Sequence, residues 1–286
     1  MTATDNPSEI FDRNRRRSVR DRAYTRARGE DFIHKAIADE LYERLQMVSR
    51  PFHQCLLMGL GSQYLAEKLK SNGINPIVAD SSFLLAAESG GVQCDEDRLP
   101  FADASFDLVI SMGTLDTVND LPGALTLIRK VLKPDGLFLG SFLGAESLTT
   151  LKSTLLLAEG DSVRNHIHPQ IDIRTMGDLL QRTGFALPVV DGDSLTLRYP
   201  SLSRLLADIR DFGGSNILKN TSGPILGSLA RTVTDLFADR SDNQGKVSEF
   251  LEIIHVSGWA PHPDQPKAAP RGSGQMSLTN ALKDRS

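Results

Sequence analysis

The segment "LLMGLGSQYL", residues 56–65, decides the fold prediction for this chain. Its apolar start is typical of a buried strand, Gly59 and Gly61 form a Gly-x-Gly turn, and the residues that follow have helical spacing. Gly73 ends that helix, and "NPIVAD" then predicts a second strand. The pattern therefore predicts a strand-helix-strand unit of the kind that binds nucleotides at its first turn.

The same alternation continues along the chain. The segments "FDLVISMG" and "GLFLGSFLG" predict strands on either side of the helix "LPGALTLIRKVL", and "TMGDLLQRTGF" predicts a further helix. We interpret "ALPVVDGDSLTLRY" as two short strands about Asp191-Gly192, and "VSEFLEIIHVSGW" as a late, antiparallel strand. This order predicts an α/β fold with a mostly parallel sheet and helices on both faces.

The predicted organisation has three parts. Residues 1–50 form a basic and helical segment, and residues 51–259 form the main domain with a helical insertion at about 201–245. Residues 260–286 are rich in proline and glycine, which predicts a loose tail.

Composition excludes several classes of function. Two cysteines among 286 residues exclude a disulfide framework and a four-cysteine zinc site. No apolar run approaches the length of a membrane span, and the N-terminus lacks a secretory signal, so we expect a cytoplasmic protein, or a mitochondrial matrix protein if the source is eukaryotic. The net charge of -4 argues against nucleic acid as a partner.

One segment departs from that acidic balance. The stretch "RNRRRSVRDRAYTRAR", from Arg13, concentrates arginine. We expect a solvated helix face, with docking to an acidic partner or to nucleic acid as the alternatives.

Candidate site residues lie where the predicted strands end. Gly59 and Gly61 follow the first strand, Asp80 ends the second 19 positions after Gly61, and Asp95 follows the third. At the carboxyl edge of a parallel sheet an acid at Asp80 can accept hydrogen bonds from ribose hydroxyls, and Asp95 can accept from an adenine amino group. Each feature alone also fits a tight turn or a helix cap. We predict no metal site, because His166 and His168 lack a clear third ligand.

These residues carry a family resemblance. The segments "LLMGLGSQYLAEKL", "DEDRLPFADASFDLVISMGTLDTVNDLPGAL" and "LKPDGLFLGSFLG" resemble class I S-adenosylmethionine-dependent methyltransferases. "IFDRNRRRSVRDRA", "FLEIIHVSGWAPH" and "PRGSG" are similar to the complex I assembly factor 5 family and its alphaproteobacterial relatives. The resemblance implies a Rossmann-like, seven-stranded sheet and S-adenosylmethionine as cofactor. It places Gly59 and Gly61 beside the methionine part of the cofactor, Asp80 at the ribose, and Asp95 and Leu99 at the adenine.

The resemblance implies that the chain modifies a protein side chain, by methylation or arginine hydroxylation, during respiratory complex I assembly, with a complex I subunit as a possible substrate. Catalytic residues and oligomeric state are not identified. Where the family loop has an acid and a third glycine this chain has Leu57 and Gln63, and Asp116-Thr117 replaces His-Trp near the expected substrate mouth. These replacements favour a second hypothesis, a non-catalytic assembly chaperone. A third is a carrier-protein or small-molecule O-methyltransferase of the biotin-synthesis type.

Overall fold

The computed structural model describes residues 9–27, 31–160, 165–221, 223–262 and 264–265. The predicted loose tail therefore lies almost wholly outside the described residues. Among the described residues, none of the helices combines the length and the apolar character that crossing a membrane requires.

A seven-stranded sheet forms the centre of the fold, and its strand order is β3-β2-β1-β4-β5-β7-β6. The neighbouring pairs from β3 to β5 are parallel, whereas β7 is antiparallel to both β5 and β6. The predicted α/β fold and the antiparallel late strand are thus confirmed. The strands are β1 (Gln54–Met58), β2 (Asn75–Asp80), β3 (Val92–Gln93), β4 (Phe106–Met112), β5 (Leu132–Leu143), β6 (Ala186–Tyr199) and β7 (Val247–Trp259).

Helices cover both faces of this sheet. Side-chain caps fix several of their starts: Asp31 accepts hydrogen bonds from the first turn of α2, and Asp120 does the same for α5. The helices of the described residues are α1 (Arg13–Ala27), α2 (Phe32–Gln46), α3 (Ser62–Ser71), α4 (Phe83–Glu88), α5 (Leu121–Val131), α6 (Thr149–Glu159), α7 (Ile173–Arg182), α8 (Leu202–Phe212) and α9 (Gly227–Ala238).

Two large apolar clusters hold these layers together. One packs α2, α3, α6, α8 and α9 against one face of the sheet, and the other packs α5 and α7 against the opposite face. Leu57, which stands where the family loop has an acid, is fully buried in the first cluster. Burying one such leucine stabilises the folded state by about 2 kcal/mol. The residue that replaces the acid is therefore part of the core.

The structure corrects one strand prediction. The segment "ALPVVDGDSLTLRY" is a single strand, β6, and its pairing with β7 continues through Asp191 and Gly192 instead of turning there. The continuous partner strand supplies hydrogen bonds on both sides of the Asp-Gly pair, which outweighs its turn preference. Helix α6 was not predicted from the sequence.

The predicted helical insertion precedes the last strand. It contains α8 and α9, and Phe237 of α9 and Leu205 of α8 join the same cluster as Leu151 of α6. Phe212 of α8 lies against Gly113, directly after β4, so the insertion reaches the carboxyl end of the sheet.

Gly59 provides a test of the loop geometry. Its φ is +119°, and a Cβ placed there would lie 2.1 Å from the carbonyl oxygen of Met112. We expect Gly59→Ala to lower the free energy of unfolding by about 3–5 kcal/mol, since it combines backbone strain with a clash against β4.

Gly73→Ala is the matched control. Gly73 also has a positive φ, of +76°, but a Cβ there would meet no described atom within 4 Å. Gly73→Ala should lower the free energy of unfolding by about 1–2 kcal/mol. Equal losses of unfolding free energy for the two variants, measured by urea denaturation, would contradict this account of the loop.

Candidate functional site

The predicted site residues come together at the carboxyl edge of β1, β2 and β4. Gly59 packs against the backbone of Met112 in β4, and a Cβ on Gly61 would lie 3.0 Å from the Cβ of His34. Asp80 ends β2, and Asp95 begins the short 3₁₀ turn Glu96–Arg98. These residues therefore lie along one edge of the sheet, where neighbouring parallel strands end.

Asp80 is already bonded within the chain. It is 1% exposed, and its two carboxylate oxygens accept hydrogen bonds of 2.9 and 2.6 Å from Nε and Nη2 of Arg20 in α1. The backbone N–H of Ser82 donates a third bond of 2.7 Å. Burial alone would raise the pKa of Asp80, but the Arg20 guanidinium outweighs it and holds the pKa below its ordinary value.

The next three acids also accept hydrogen bonds from arginines of α1, although Oδ1 of Asp95 has no hydrogen-bond partner among the described residues. Arg17 donates to Asp95 at 2.8 Å, Arg16 donates two bonds of 2.7 and 2.9 Å to Glu96, and Arg13 donates two bonds of 2.7 Å to Asp97. The four arginines occupy one face of α1, as their helical spacing requires. We term Arg13, Arg16, Arg17 and Arg20 the arginine face, and Asp80, Asp95, Glu96 and Asp97 the acidic edge.

The expectation of a solvated arginine helix was therefore wrong. Arg16 is only 4% exposed and Arg20 only 3%. The acidic surface on which α1 docks belongs to the same chain, and its carboxylates lie 60 to 84 positions further along the sequence. Planar guanidinium groups suit this role because each can bond both oxygens of a carboxylate.

Gln63, which stands in place of the third glycine of the family loop, also contacts α1. The Nε2 of Gln63 donates a hydrogen bond of 2.8 Å to the hydroxyl of Tyr24 in α1. Leu60, between the two glycines, packs with Tyr24 and Ala23. The altered loop is thus fitted to the helix that covers it.

Side chains of α1 occupy the acidic edge in this arrangement. The carboxylates that ribose and adenine would use are bonded to Arg20 and Arg17, and Arg13 and Arg16 line the crevice beside Asp95. Leu99, the further adenine-side residue, is partly buried against the core. Asp80 and Asp95 are acids of the kind that would bind a nucleoside. To bind it in this way they would have to release Arg20 and Arg17 of α1.

A cavity of about 590 Å³ lies beside the acidic edge. Its wall is mainly apolar, with leucines from α6 and α8, and Gly113 and Asp116 bring the end of β4 to one side. The Oδ1 atom of Asp116 is buried and has no hydrogen-bond partner among the described residues. Burial raises the pKa of Asp116, against the opposing effect of Arg16 and Arg20.

A buried histidine beside this edge was missed from the sequence. The Nδ1 of His34 lies 2.8 Å from Asp31, and its ring stacks on Phe212 with 4.4 Å between ring centroids. Its Nε2 is buried near Gly113 and has no hydrogen-bond partner among the described residues. The Asp-x-x-His spacing at the start of α2 was the available signal.

The other histidines do not form a centre at this edge. His166 lies 2.8 Å from Glu159, and the Nε2 of His168 accepts a bond from Ile217 while burial lowers its pKa to about 4. Elsewhere, Glu40, Asp193 and His255 bring three potential metal ligands within 4.8 Å of one another. The sequence did not predict that cluster, because its members come from three distant elements. It does not line the cavity.

Comparison with known proteins places these features in a family. Residues 56–140 match the family described as "Methyltransferase domain". The "Arginine-hydroxylase NDUFAF5, mitochondrial" of Danio rerio is 31% identical, over 96% of this chain and 90% of that protein, and the Homo sapiens protein is 30% identical over 94% and 82%. The "Malonyl-[acyl-carrier protein] O-methyltransferase 1" of Coxiella burnetii is 31% identical over 78% of this chain and 79% of that protein.

Solved structures agree on the fold. A candidate methyltransferase from Bacillus halodurans has a TM-score of 0.54 at 14% identity, covering 78% of this chain and all of that chain. The YcgJ protein of Bacillus subtilis has a TM-score of 0.52 at 16% identity, over 78% of this chain and 98% of that chain. At these identities the likeness concerns the fold alone.

The ion pairs of α1 predict a specific pH dependence. Burial would raise the pKa of Asp97, but its bonds to Arg13 hold the pKa below the ordinary value of 3.8. At pH 7 we expect Arg13→Ala to cost about 2 kcal/mol of unfolding free energy. The pair stabilises the fold above the unfolded pKa, so this difference should shrink as pH falls through the folded pKa.

Urea denaturation of the wild type and of Arg13→Ala, at pH 7 and at pH 3, measures this difference in unfolding free energy. Arg22→Ala, on an exposed part of α1, is the control and should differ little from the wild type at either pH. A loss for Arg13→Ala that is as large in acid as at neutral pH would contradict the role assigned to Asp97.

Proposed function

Because this chain belongs to the family of the mitochondrial arginine-hydroxylase NDUFAF5, we propose that it uses S-adenosylmethionine and modifies an arginine side chain of a protein during respiratory complex I assembly. The observation that carries the proposal is the cavity beside the acidic edge, with the unpartnered carboxylate oxygen of Asp116 in its wall. The modification is methylation of the side chain, with the methyl group taken from the cofactor, or its hydroxylation, which in addition consumes dioxygen and a two-electron reductant and releases water.

The cavity suits an arginine for a physical reason. An arginine side chain joins an apolar stem to a guanidinium with five N–H donors. Leucines such as Leu151 and Leu205 would contact the stem, and Asp116 would accept from the guanidinium. A buried carboxylate oxygen without a donor is costly, so a cationic donor is the ligand that it favours.

We propose Gly59, Gly61, Asp80, Asp95 and Leu99 as the cofactor-binding residues. Their place at the carboxyl edge of the parallel strands and the family membership support the assignment. In the described arrangement Asp80 and Asp95 are bonded to α1, so cofactor binding requires these carboxylates to exchange partners. The proposed location is the bacterial cytoplasm or the mitochondrial matrix, the latter following the named relatives.

Two other functions have specific support. The closed acidic edge and the buried Leu57 favour a non-catalytic assembly chaperone. The Coxiella burnetii relative favours methyl transfer to a carrier-protein carboxylate. Mass spectrometry of complex I subunits and of malonyl carrier protein separates these functions, after incubation in air with the protein, S-adenosylmethionine and a reductant. A methyl or oxygen added to an arginine supports the main proposal, a methyl ester supports the carrier-protein function, and no product favours the chaperone.

Cofactor binding has its own test. We expect Asp80→Asn to weaken binding of S-adenosylhomocysteine at least about tenfold, because ribose hydroxyls would lose a charged acceptor. The same substitution loosens α1, which should act in the opposite direction. Calorimetric titration of the folded variant measures the balance, with the exposed Asp103→Asn as control. Because these two effects oppose each other, Asp80→Asn is also made in an Arg20→Lys background, in which α1 is already loosened. Affinity equal to that of Arg20→Lys alone would remove Asp80 from the site.

Asp116 is tested by peptide binding. A short peptide with one arginine between apolar residues should bind the wild type about tenfold tighter than its citrulline analogue, which has the same shape without the charge. Asp116→Asn should abolish that preference, and Asp103→Asn should keep it. Fluorescence anisotropy gives both affinities. Equal binding of the two peptides by the wild type would contradict the acceptor role of Asp116.

A further inference from the structure

We propose that the arginine face of α1 is an internal competitor of the cofactor, so that the cofactor binds only when α1 leaves the acidic edge. The inference rests on the cofactor part of the proposed function. It explains why the acids at the ends of β2 and β3, the residues assigned to the cofactor, are those that α1 bonds in the structure.

The chemical overlap between the two ligands is direct. A ribose diol would present two hydroxyl donors to one carboxylate, and Arg20 presents two N–H donors to Asp80 in the same manner. The Nη1 atom of Arg20 also donates to the carbonyl of Gly113 at 3.2 Å, directly after β4. The guanidinium thus fills hydrogen-bonding positions on both sides of the nucleotide-binding turn.

The docking of α1 has the properties of a reversible contact. Apart from the ion pairs, it buries few apolar side chains, and those of Val19, Ala23 and Tyr24 belong to small clusters separate from the two main cores. Buried ion pairs repay much of their attraction in desolvation, so arginines that leave the edge recover hydration in water, which offsets part of the loss of the pairs. A ligand with comparable donors can therefore displace the helix.

Release of α1 would also affect the cavity. Arg20 lies in its wall, and Arg26 bonds Asp211 of α8 at 2.6 Å. At the start of α1, Arg15 donates to the carbonyl of Leu218 in the insertion. The helix therefore connects the acidic edge to the insertion that covers the proposed acceptor site, and one movement would open both.

The competition predicts that weakening α1 strengthens cofactor binding. The apparent affinity for the cofactor is proportional to the fraction of molecules whose site is open, so it rises when α1 is weakened. Arg17→Ala removes a bond to Asp95 from a side chain that is 38% exposed, while Arg13 remains 3.3 Å from the same carboxylate. This variant should fold, since it leaves no acid of the edge without a cation.

Arg20→Lys is the stronger variant. It keeps a positive charge opposite Asp80 but loses the two-pronged guanidinium contact. Arg22→Ala removes an exposed arginine of the same helix and is the matched control. The probe is S-adenosylhomocysteine, and its dissociation constant is measured by calorimetry for the wild type and the three variants, each with its thermal unfolding recorded.

Arg17→Ala should bind about two- to fivefold tighter than the wild type and Arg20→Lys about tenfold tighter, with Arg22→Ala unchanged. If all four proteins bind equally, the competition is refuted while cofactor binding stands. Weaker binding by folded Arg17→Ala or Arg20→Lys also overturns it, since these arginines would then assist the cofactor. If none of the four binds at millimolar ligand, the competition fails together with the cofactor.

Discussion

The bidentate pair between Arg20 and Asp80 is the contact on which the arrangement of this molecule depends. It joins a helix near the N-terminus to the end of β2, in the place where a parallel sheet of this type holds its ligand. Three more arginines of α1 align with Asp95, Glu96 and Asp97 because their spacing follows the helix. The pair thereby determines which part of the strand-end edge is accessible.

The altered residues of the glycine loop are consistent with this contact. Gln63 bonds Tyr24 of α1, and Leu57 is part of the core, so both replacements make contacts within the fold. The loop can be understood as adapted to a helix that docks on it. That view reconciles two features of the chain: it belongs to a family of modifying enzymes, and its acidic edge is closed by its own side chains.

Local patterns in the sequence were sufficient to predict the strand-helix-strand core and the placement of Gly59, Asp80 and Asp95 at strand ends. Each strand end is marked by the residues next to it in the sequence, where an apolar run stops. Local patterns failed where the deciding partner is distant. Strand β6 runs through Asp191-Gly192 because β7 pairs along its whole length. The arginines of α1 are buried because their carboxylates follow 60 or more positions later. His34 was not singled out from the sequence, although Asp31 gives it a partner only three positions away.

Hydrogen exchange of the α1 amides, followed by mass spectrometry with and without S-adenosylhomocysteine, tests the central claim most directly. If the cofactor displaces α1 from the acidic edge, residues 13–27 should exchange faster when the ligand is bound, while β1 and β4 become no less protected. Slower exchange of α1 on binding, with protection of Asp80 and its neighbours, would mean that helix and cofactor occupy the edge together. That result would contradict the account.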